Sequence, residues 1–382
     1  MPFRYLVLQL RLGKKWIYLE LLFEVNMITI SLCMIVKNES AVLRRCLDSV
    51  SSIADEIIIV DTGSTDDTRK IAGKYTRQVY DYSWKDDFAD ARNFAFSKAT
   101  MEYIYTADAD EMLDEDNLRK FMQLKQALLP EIEIVQMKYI TQASSNMVYN
   151  AKKELRPKLF RRLRTFTWID PVHETVRLDP VVYDSDIEIL HLPQSMHSSR
   201  DFAIFIRAFD NVGTLSRKLI DMYAKELFIS GTTQDFMDAQ RIFESVYQDN
   251  KNTDLQQEIA CVLAHCYRIG GRDSDFYKLT LKDMITAPCA EMCMEIGEYF
   301  YSLCDYEEAS IWYYNAAYET GSILTVRSSG DLPLMRLAKC YGNMADQMAS
   351  EGIYPQSQIE EYKQTAAEYQ ELADKWEMPE EL

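Results

Sequence analysis

The chain has 382 residues, 47% hydrophobic, 12% aromatic and 27% charged, with a formal net charge of −18. That length suits two domains of roughly 100 to 200 residues each, and the composition is that of a folded chain with a packed core, not a disordered or collagen-like one. The acidic balance argues against a nucleic-acid binder, because phosphate neutralisation needs clustered Lys and Arg.

The first 26 residues are basic and apolar, with Arg11, Lys14 and Lys15 interrupting the apolar runs. They fit neither a signal peptide nor a membrane span, and no transmembrane segment is expected elsewhere. A strand begins just after Met27, so Met27 is read as the start and 1–26 as an extension that is not native. A membrane-surface or docking helix is the alternative.

From Ile28 to Val36 a β-rich apolar run leads into Lys37, Asn38, Glu39 and Ser40, then a helix-compatible stretch to Val50. Glu56 to Val60 reads as a buried strand ending at Asp61, before the turn Thr62, Gly63, Ser64, Thr65. A helix with Phe88, Ala91, Phe94 and Ala95 on one face precedes a strand from Tyr103 to Ala107, which ends in Asp108, Ala109, Asp110, Glu111. This alternation predicts an α/β domain on a mostly parallel sheet, with acidic residues at the carboxyl ends of strands, the edge where open sheets bind ligands. Short strands follow at Ile132–Ile140, Lys158–Arg162 and Ile187–Leu190, as in an acceptor-side subdomain.

Beyond about Ser198 helical periodicity takes over, which sets the domains at 27–198 and 199–382. Leu263, Ala264, Cys266, Tyr267 recurs as Ile296, Gly297, Tyr299, Phe300 and as Leu337, Ala338, Cys340, Tyr341. In the middle copy Ala309, Tyr313 and Ala316 continue at second-helix offsets, and Tyr223, Ala224 and Leu227 with Ala239 and Phe243 form an earlier, looser copy. The pattern resembles a tetratricopeptide array, an all-α repeat domain whose helix pairs bury their apolar faces by stacking.

Asp108 and Asp110 are the strongest chemical signal. Two carboxylates one residue apart can serve ribose and a hard divalent cation, which takes oxygen ligands and completes its shell with water and substrate phosphate. Asp61, ahead of Gly63 and Ser64, places a third carboxylate and backbone amides where a base and ribose can be met. A solvated acidic turn is the bland reading of Asp-x-Asp alone. The eight cysteines show no paired Cys-x-x-Cys spacing and suit reduced thiols in the cytoplasm. Cys261, His265 and Cys266 are read as helix core in preference to a zinc site. Arg161, Arg162 and Arg164 are candidates for holding phosphate, although strand alternation exposes at least one of them.

Met34-Ile-Val-Lys-Asn-Glu39, Glu56-Ile-Ile-Ile-Val-Asp-Thr-Gly-Ser-Thr-Asp66, Ala91-Arg-Asn-Phe-Ala95, Asp108-Ala-Asp-Glu111 and Pro171-Val-His-Glu174 occur in that order. In these segments the chain resembles family 2 glycosyltransferases of the GT-A fold, over roughly Ile28 to His191. The resemblance implies that Glu39 and Asp61 lie at the nucleoside pocket with Asn38 and Ser64 supporting its loops, Arg92 near uracil or diphosphate, Asp108 at ribose and metal, and Asp110 as principal metal ligand.

Leu159-Phe-Arg161, Val172-His-Glu174 and His191 are similar to the later pattern of lipopolysaccharide-core glucosyltransferases and sublancin-type peptide S-glycosyltransferases. Leu192-Pro193 departs from the usual His-x-Gly, and a proline fixes φ where glycine is free. His191 as a third metal or diphosphate ligand is the implied role.

The activity so implied is inverting transfer from a UDP-sugar with Mg²⁺ or Mn²⁺, Glu174 as base, Asp170 as its alternative and His173 orienting either. The repeats point to a peptide or protein acceptor. An acceptor on lipid or polysaccharide, and a non-catalytic repeat scaffold with a degenerate nucleotide-sugar domain, are the competing readings. A homodimer is left open.

Overall fold

The computed structural model describes residues 3–12, 15–24, 27–141, 153–162, 168–169, 175–176, 181–192, 198–249 and 255–379. They fall into two compact units, the second made by the helices from Ser198 onward.

Two strands come first, β1 (Phe3–Leu12) and β2 (Lys15–Glu24), paired antiparallel from Phe3↔Glu24 to Leu12↔Lys15. A helix in this extension, the alternative drawn from its amphipathic signal, is thereby corrected. Its two runs are separated by two residues beginning with Gly13, a hairpin signal in the sequence that outweighs the weak helical period.

Next come β3 (Ile30–Val36), α1 (Leu43–Val50), β4 (Glu56–Asp61), α2 (Thr68–Ala72), β5 (Val79–Asp81), α3 (Phe88–Lys98), β6 (Tyr103–Thr106), β7 (Glu111–Met112), α4 (Glu115–Ala127), β8 (Ile134–Thr141) and β9 (Lys153–Arg161). The short pair β10 (Trp168–Ile169) and β11 (Thr175–Val176) stands apart from the main sheet, and β12 (Val182–His191) closes the series. The eight-stranded sheet runs β5-β4-β3-β6-β9-β8-β12-β7. Its first four strands are parallel, β9 is antiparallel to both neighbours, β12 is parallel to β8, and β7 is antiparallel to β12. Ile30, Leu32, Met34, Ile58, Ile59 and Val60 are fully buried. Such continuous apolar runs are what a parallel sheet covered on both faces requires.

One topological fact shapes the site. β6 ends at Thr106 and β7 begins at Glu111, yet β9, β8 and β12 lie between them in the sheet. Flat strands about 4.8 Å apart would place β7 roughly 19 Å from β6. The five residue steps from Thr106 to Glu111 reach at most about 18 Å when fully extended. The sheet must curl, and the Asp108–Asp110 segment crosses the mouth of the curl at the carboxyl edge.

The second unit comprises α5 (Ser198–Val212), α6 (Arg217–Ser230), α7 (Thr233–Asp249), α8 (Gln256–Ile269), α9 (Asp273–Thr286), α10 (Ala290–Ser302), α11 (Tyr306–Tyr314), α12 (Asp331–Glu351) and α13 (Gln356–Asp374). The recurring residues occupy equivalent places on α8, α10 and α12, and Leu263, Ala264, Leu337 and Cys340 are all buried. A Cβ on Gly297 would meet the Tyr313 ring at 2.7 Å, so the small residue of the motif is set by the aromatic on the next helix. In the earlier copy Tyr223 is fully buried, stacked on Phe205 at 4.5 Å and tilted against Phe243 at 5.3 Å.

Candidate active site

The carboxyl ends of β3 and β4 carry the first half of the site. Asn38 adopts φ 56°, a left-handed conformation that Asn tolerates better than most residues. Its N–H donates to Ser64 Oγ at 3.0 Å, and its Oδ1 accepts from the Thr65 N–H at 2.8 Å. The Glu39 N–H donates to Thr68 Oγ1 at 2.7 Å. Two loops are thus stitched into one rim. Asp66 takes part: burial opposes its ionisation, but hydrogen bonds from Ser40 and Thr68 bring its carboxyl down to about 2.

Asp61 sits beneath this rim, 2% exposed. Its Oδ1 accepts from the N–H groups of Gly63 (3.1 Å) and Ser64 (2.8 Å), a turn that Gly63 permits with φ 103°. Its Oδ2 is buried without a hydrogen-bond partner among the described residues, with Arg69 Nε 3.7 Å away. A buried acceptor left in this state costs about 1–3 kcal/mol, which a ligand N–H or O–H can recover.

Across β3, the register pairs Val36 with Asp61 and Cys33 with Thr106. Asp61 and the residues just after β6 therefore stand at one height on one edge. Asp108 Oδ1 lies 3.7 Å from Arg92 Nη2, and Arg92 also donates to Thr106 Oγ1. The Asp108 side chain remains 46% exposed. Burial raises its pKa, yet the charges of Lys158, Arg92 and Arg156 outweigh that and hold it at about 2. Asp110 Oδ2 is 3.1 Å from His191 Nε2. The turn is fixed from behind by Arg45, whose guanidinium donates to the carbonyls of Asp110 (3.3 Å) and Leu192 (2.9 Å), while the Leu192 N–H donates to the Asp110 carbonyl at 3.0 Å. The chain is locked up to Leu192; Pro193 lies outside the described residues.

Three side chains beside the Asp108–Asp110 turn escaped the reading of the sequence. Lys158 is buried and bonded to Glu111, with its Nζ 3.9 Å from Asp108 Oδ2. It is the extra residue of a β-bulge, since Val135 pairs with Leu159 and Gln136 with Pro157. Bulges re-aim side chains, and Pro157, having no N–H, suits a broken ladder. Glu111 is pushed up to about 7 by burial, with Lys158 opposing and Asp108 and Asp110 adding to the rise. Arg156 lies over the Tyr139 ring, 4.0 Å from its centroid. The signal for all three was present in the direction of β9. Because that strand runs antiparallel to β6, its beginning, not its end, meets the carboxyl edge.

The same fact corrects the phosphate candidates. Arg161 donates to the Pro130 carbonyl and Arg162 to the Met101 carbonyl, both at the opposite edge of the sheet. Arg164, and the base candidates Asp170, His173 and Glu174, lie outside the described residues. In the helical unit Cys261 faces Cys289 with sulfurs 3.5 Å apart, His265 pairs with Glu295 at 2.8 Å, and Cys266 donates to the Phe236 carbonyl. Those three side chains do not converge as zinc ligands. All eight cysteines are free.

Among the described residues no three His, Cys, Asp and Glu side chains form a ready-made metal cage. Asp110 and His191 are instead brought together as a pair, 3.1 Å apart. Among the described residues no helix is long and apolar enough to cross a membrane.

Residues 31–177 match the family model of glycosyl transferase family 2. The chain is 34% identical to the SPbeta prophage-derived glycosyltransferase SunS of Bacillus subtilis, over 34% of this chain and 31% of that protein. It is 30% identical to an uncharacterised glycosyltransferase of Rickettsia prowazekii, over 42% of this chain and 54% of that one. A TPR repeat-containing protein of Synechococcus elongatus matches at 47% identity over 23% of this chain and 22% of its own length. These matches span from about a fifth to just over half of the relatives' lengths. Among solved structures, glucosyl-3-phosphoglycerate synthase from Mycobacterium tuberculosis is similar at 16% identity with a TM-score of 0.39, covering 50% of this chain and 82% of that one. This chain carries a glycosyl transferase family 2 domain at residues 31–177, with SunS and the Rickettsia glycosyltransferases as homologues.

Proposed function

We propose that the protein is an inverting glycosyltransferase that takes a sugar from a UDP-sugar to a peptide or protein side chain, with Mg²⁺ or Mn²⁺ held by Asp110, His191 and Asp108. The observation that carries this reading is the placement of two unlike acidic centres on one sheet edge. Asp61 presents a buried carboxylate whose Oδ2 has no hydrogen bond among the described residues and stands 3.7 Å from Arg69 Nε, a group suited to the base or ribose of a nucleoside. Two strand spacings away, beyond β3, the Asp108–Asp110 turn presents hard oxygen ligands beside an imidazole.

In the proposed reaction the acceptor nucleophile attacks the anomeric carbon, the bond from that carbon to the phosphate oxygen breaks, and its electron pair leaves on the diphosphate. Glu174 takes the acceptor's proton, with Asp170 the alternative and His173 orienting the carboxylate. A bound divalent ion would offset charge on the departing diphosphate. Asn38, Glu39 and Ser64 shape the nucleoside rim, and Arg92 orders Asp108 through the contact at 3.7 Å.

The acceptor class rests on the helical repeats, which offer extended surfaces for polypeptides, and on the resemblance to peptide S-glycosyltransferases. Residues 198–382 contain 31 Asp and Glu against 16 Lys and Arg, so a basic acceptor is favoured. Free thiols throughout fit a cytoplasmic setting. Release of UDP from a panel of UDP-sugars with Mn²⁺ present tests the reading. Turnover with at least one donor, lost in Asp110→Ala, supports it. A folded protein inert towards every donor supports the scaffold alternative.

A further inference from the structure

The last three helices of the second unit carry tyrosines in two adjoining groups. Tyr314 ends α11, and Tyr318 stands in the π-helical turn Asn315–Glu319 that continues it, their ring centroids 4.8 Å apart. On α12, Tyr341 stacks on Tyr369 of α13 at 5.6 Å and 21°, and meets Tyr362 of the same helix at 5.6 Å. Burial pushes the Tyr369 hydroxyl up to about 12, and the nearby Tyr341, Tyr318 and Tyr314 add to the rise, which brings the two groups into one neighbourhood.

The outer pair is open to solvent. Tyr313 is fully buried in the repeat, whereas Tyr314 and Tyr318 turn away from it and remain 44% and 50% exposed. Their surroundings are acidic. From Tyr306 to Lys375 there are 11 Asp and Glu against 5 Lys and Arg. Of those cations, Arg327, Arg336 and Lys375 are paired with Asp331, Glu298 and Glu371. Glu319 follows Tyr318 directly and Glu368 precedes Tyr369, and both are exposed.

The faces of aromatic rings carry negative charge density and draw cations. The same unit makes such pairs within itself, with Arg272 over Tyr267 at 4.3 Å, Arg336 over Tyr301 at 5.4 Å and Lys282 over Tyr247 at 5.5 Å. Open rings set among carboxylates therefore favour a cationic chain. A second copy would bring like charges together, and a lipid headgroup surface or a nucleic acid presents the anions that this face repels.

We propose that Tyr314 and Tyr318, with the Tyr341–Tyr369 stack beside them, form a docking surface for a lysine- or arginine-rich segment of polypeptide. It rests on the reading of a polypeptide acceptor and names where such a chain is held. The rings supply cation–π contact and the apolar bed for the long side chains, and the carboxylates draw the charged ends.

Fluorescence anisotropy of the full chain with a short labelled peptide of alternating lysine and glycine tests this, with neither donor nor metal present. Wild type should bind it. Tyr314→Leu/Tyr318→Leu, which keeps every charge and most of the apolar surface, should bind about fivefold or more weakly at the same salt, and Tyr314→Phe/Tyr318→Phe as wild type does. Unchanged affinity in the leucine variant would overturn the proposal, as would a wild type that binds the glutamate counterpart of the peptide equally well. So would sedimentation showing a wild-type dimer that the leucine variant loses, because the face would then belong to a second copy. A protein inert towards every UDP-sugar leaves the titration as it stands, and a failed titration leaves donor turnover untouched, so the two readings fail separately.

Discussion

Asp110, in the turn just before β7, and His191, the last residue of β12, meet at 3.1 Å, carboxylate to imidazole. Their backbones are tied as well, His191 pairing with Glu111 and the Leu192 N–H reaching the Asp110 carbonyl. A carboxylate and an imidazole are thereby held together by side chain and main chain alike.

The unsatisfied oxygen of Asp61 gives the first prediction. Asp61→Asn can keep the Oδ1 bonds to Gly63 and Ser64 while replacing the buried acceptor by an amide donor. Uridine affinity should fall about tenfold or more, with little change in Tm. Calorimetry and thermal melts on one preparation check both halves.

The base assignment gives the second. Glu174→Gln should lower kcat by about 10² or more while UDP binding stays at the wild-type level. If transfer survives and Asp170→Asn abolishes it, the role passes to Asp170.

The third concerns pH and the helical unit. Glu295 is buried between His265 at 2.8 Å and Arg268 at 2.7 Å. Burial raises its pKa, but the charges of those partners prevail and lower it from 4.5 to about 2. A carboxyl depressed by folding contributes stability that is present above the unfolded value and lost as pH falls towards the folded one. Between pH 4.5 and 2 that contribution, about 3 kcal/mol, should disappear. Glu295→Gln should therefore be markedly less stable than wild type in denaturant at pH 7, and the gap should close as the solution is acidified.

The fourth is steric. Ala in place of Gly297 adds helix propensity worth up to about 1 kcal/mol, but its Cβ would stand 2.7 Å from the Tyr313 ring. Overpacking costs about 1–3 kcal/mol, so Gly297→Ala should lower Tm. A raised Tm would show that the repeat is looser than its packing implies.

The division between what was legible and what was not has a physical cause. Asp61, Asp108 and His191 each follow a β-rich run, with Asp110 two residues beyond Asp108, and polar residues placed where strands end could be located at the carboxyl edge without knowledge of strand order. Lys158 and Arg156 needed the direction of β9, which is set by partners more than 50 residues away in β6. Without it Arg161, Arg162 and Arg164 were the candidates for holding phosphate. Glu111 was hidden for another reason: in a run of acidic residues nothing distinguishes the one that turns inward, and its burial follows from pairing with β12 and from Lys158. The repeats were legible because Gly297 and its counterparts recur at helical spacing, whereas the β1–β2 hairpin was masked by a leucine-rich composition that serves either structure.

The central claim is that Asp110 and His191 bind a divalent ion jointly with a nucleoside diphosphate. Titration of Mn²⁺ followed by electron paramagnetic resonance, with and without UDP, measures this directly. Tight Mn²⁺ binding should require UDP in the wild type and fall at least about tenfold in both Asp110→Ala and His191→Ala. Mn²⁺ and UDP bound equally well by wild type and both variants would contradict the account.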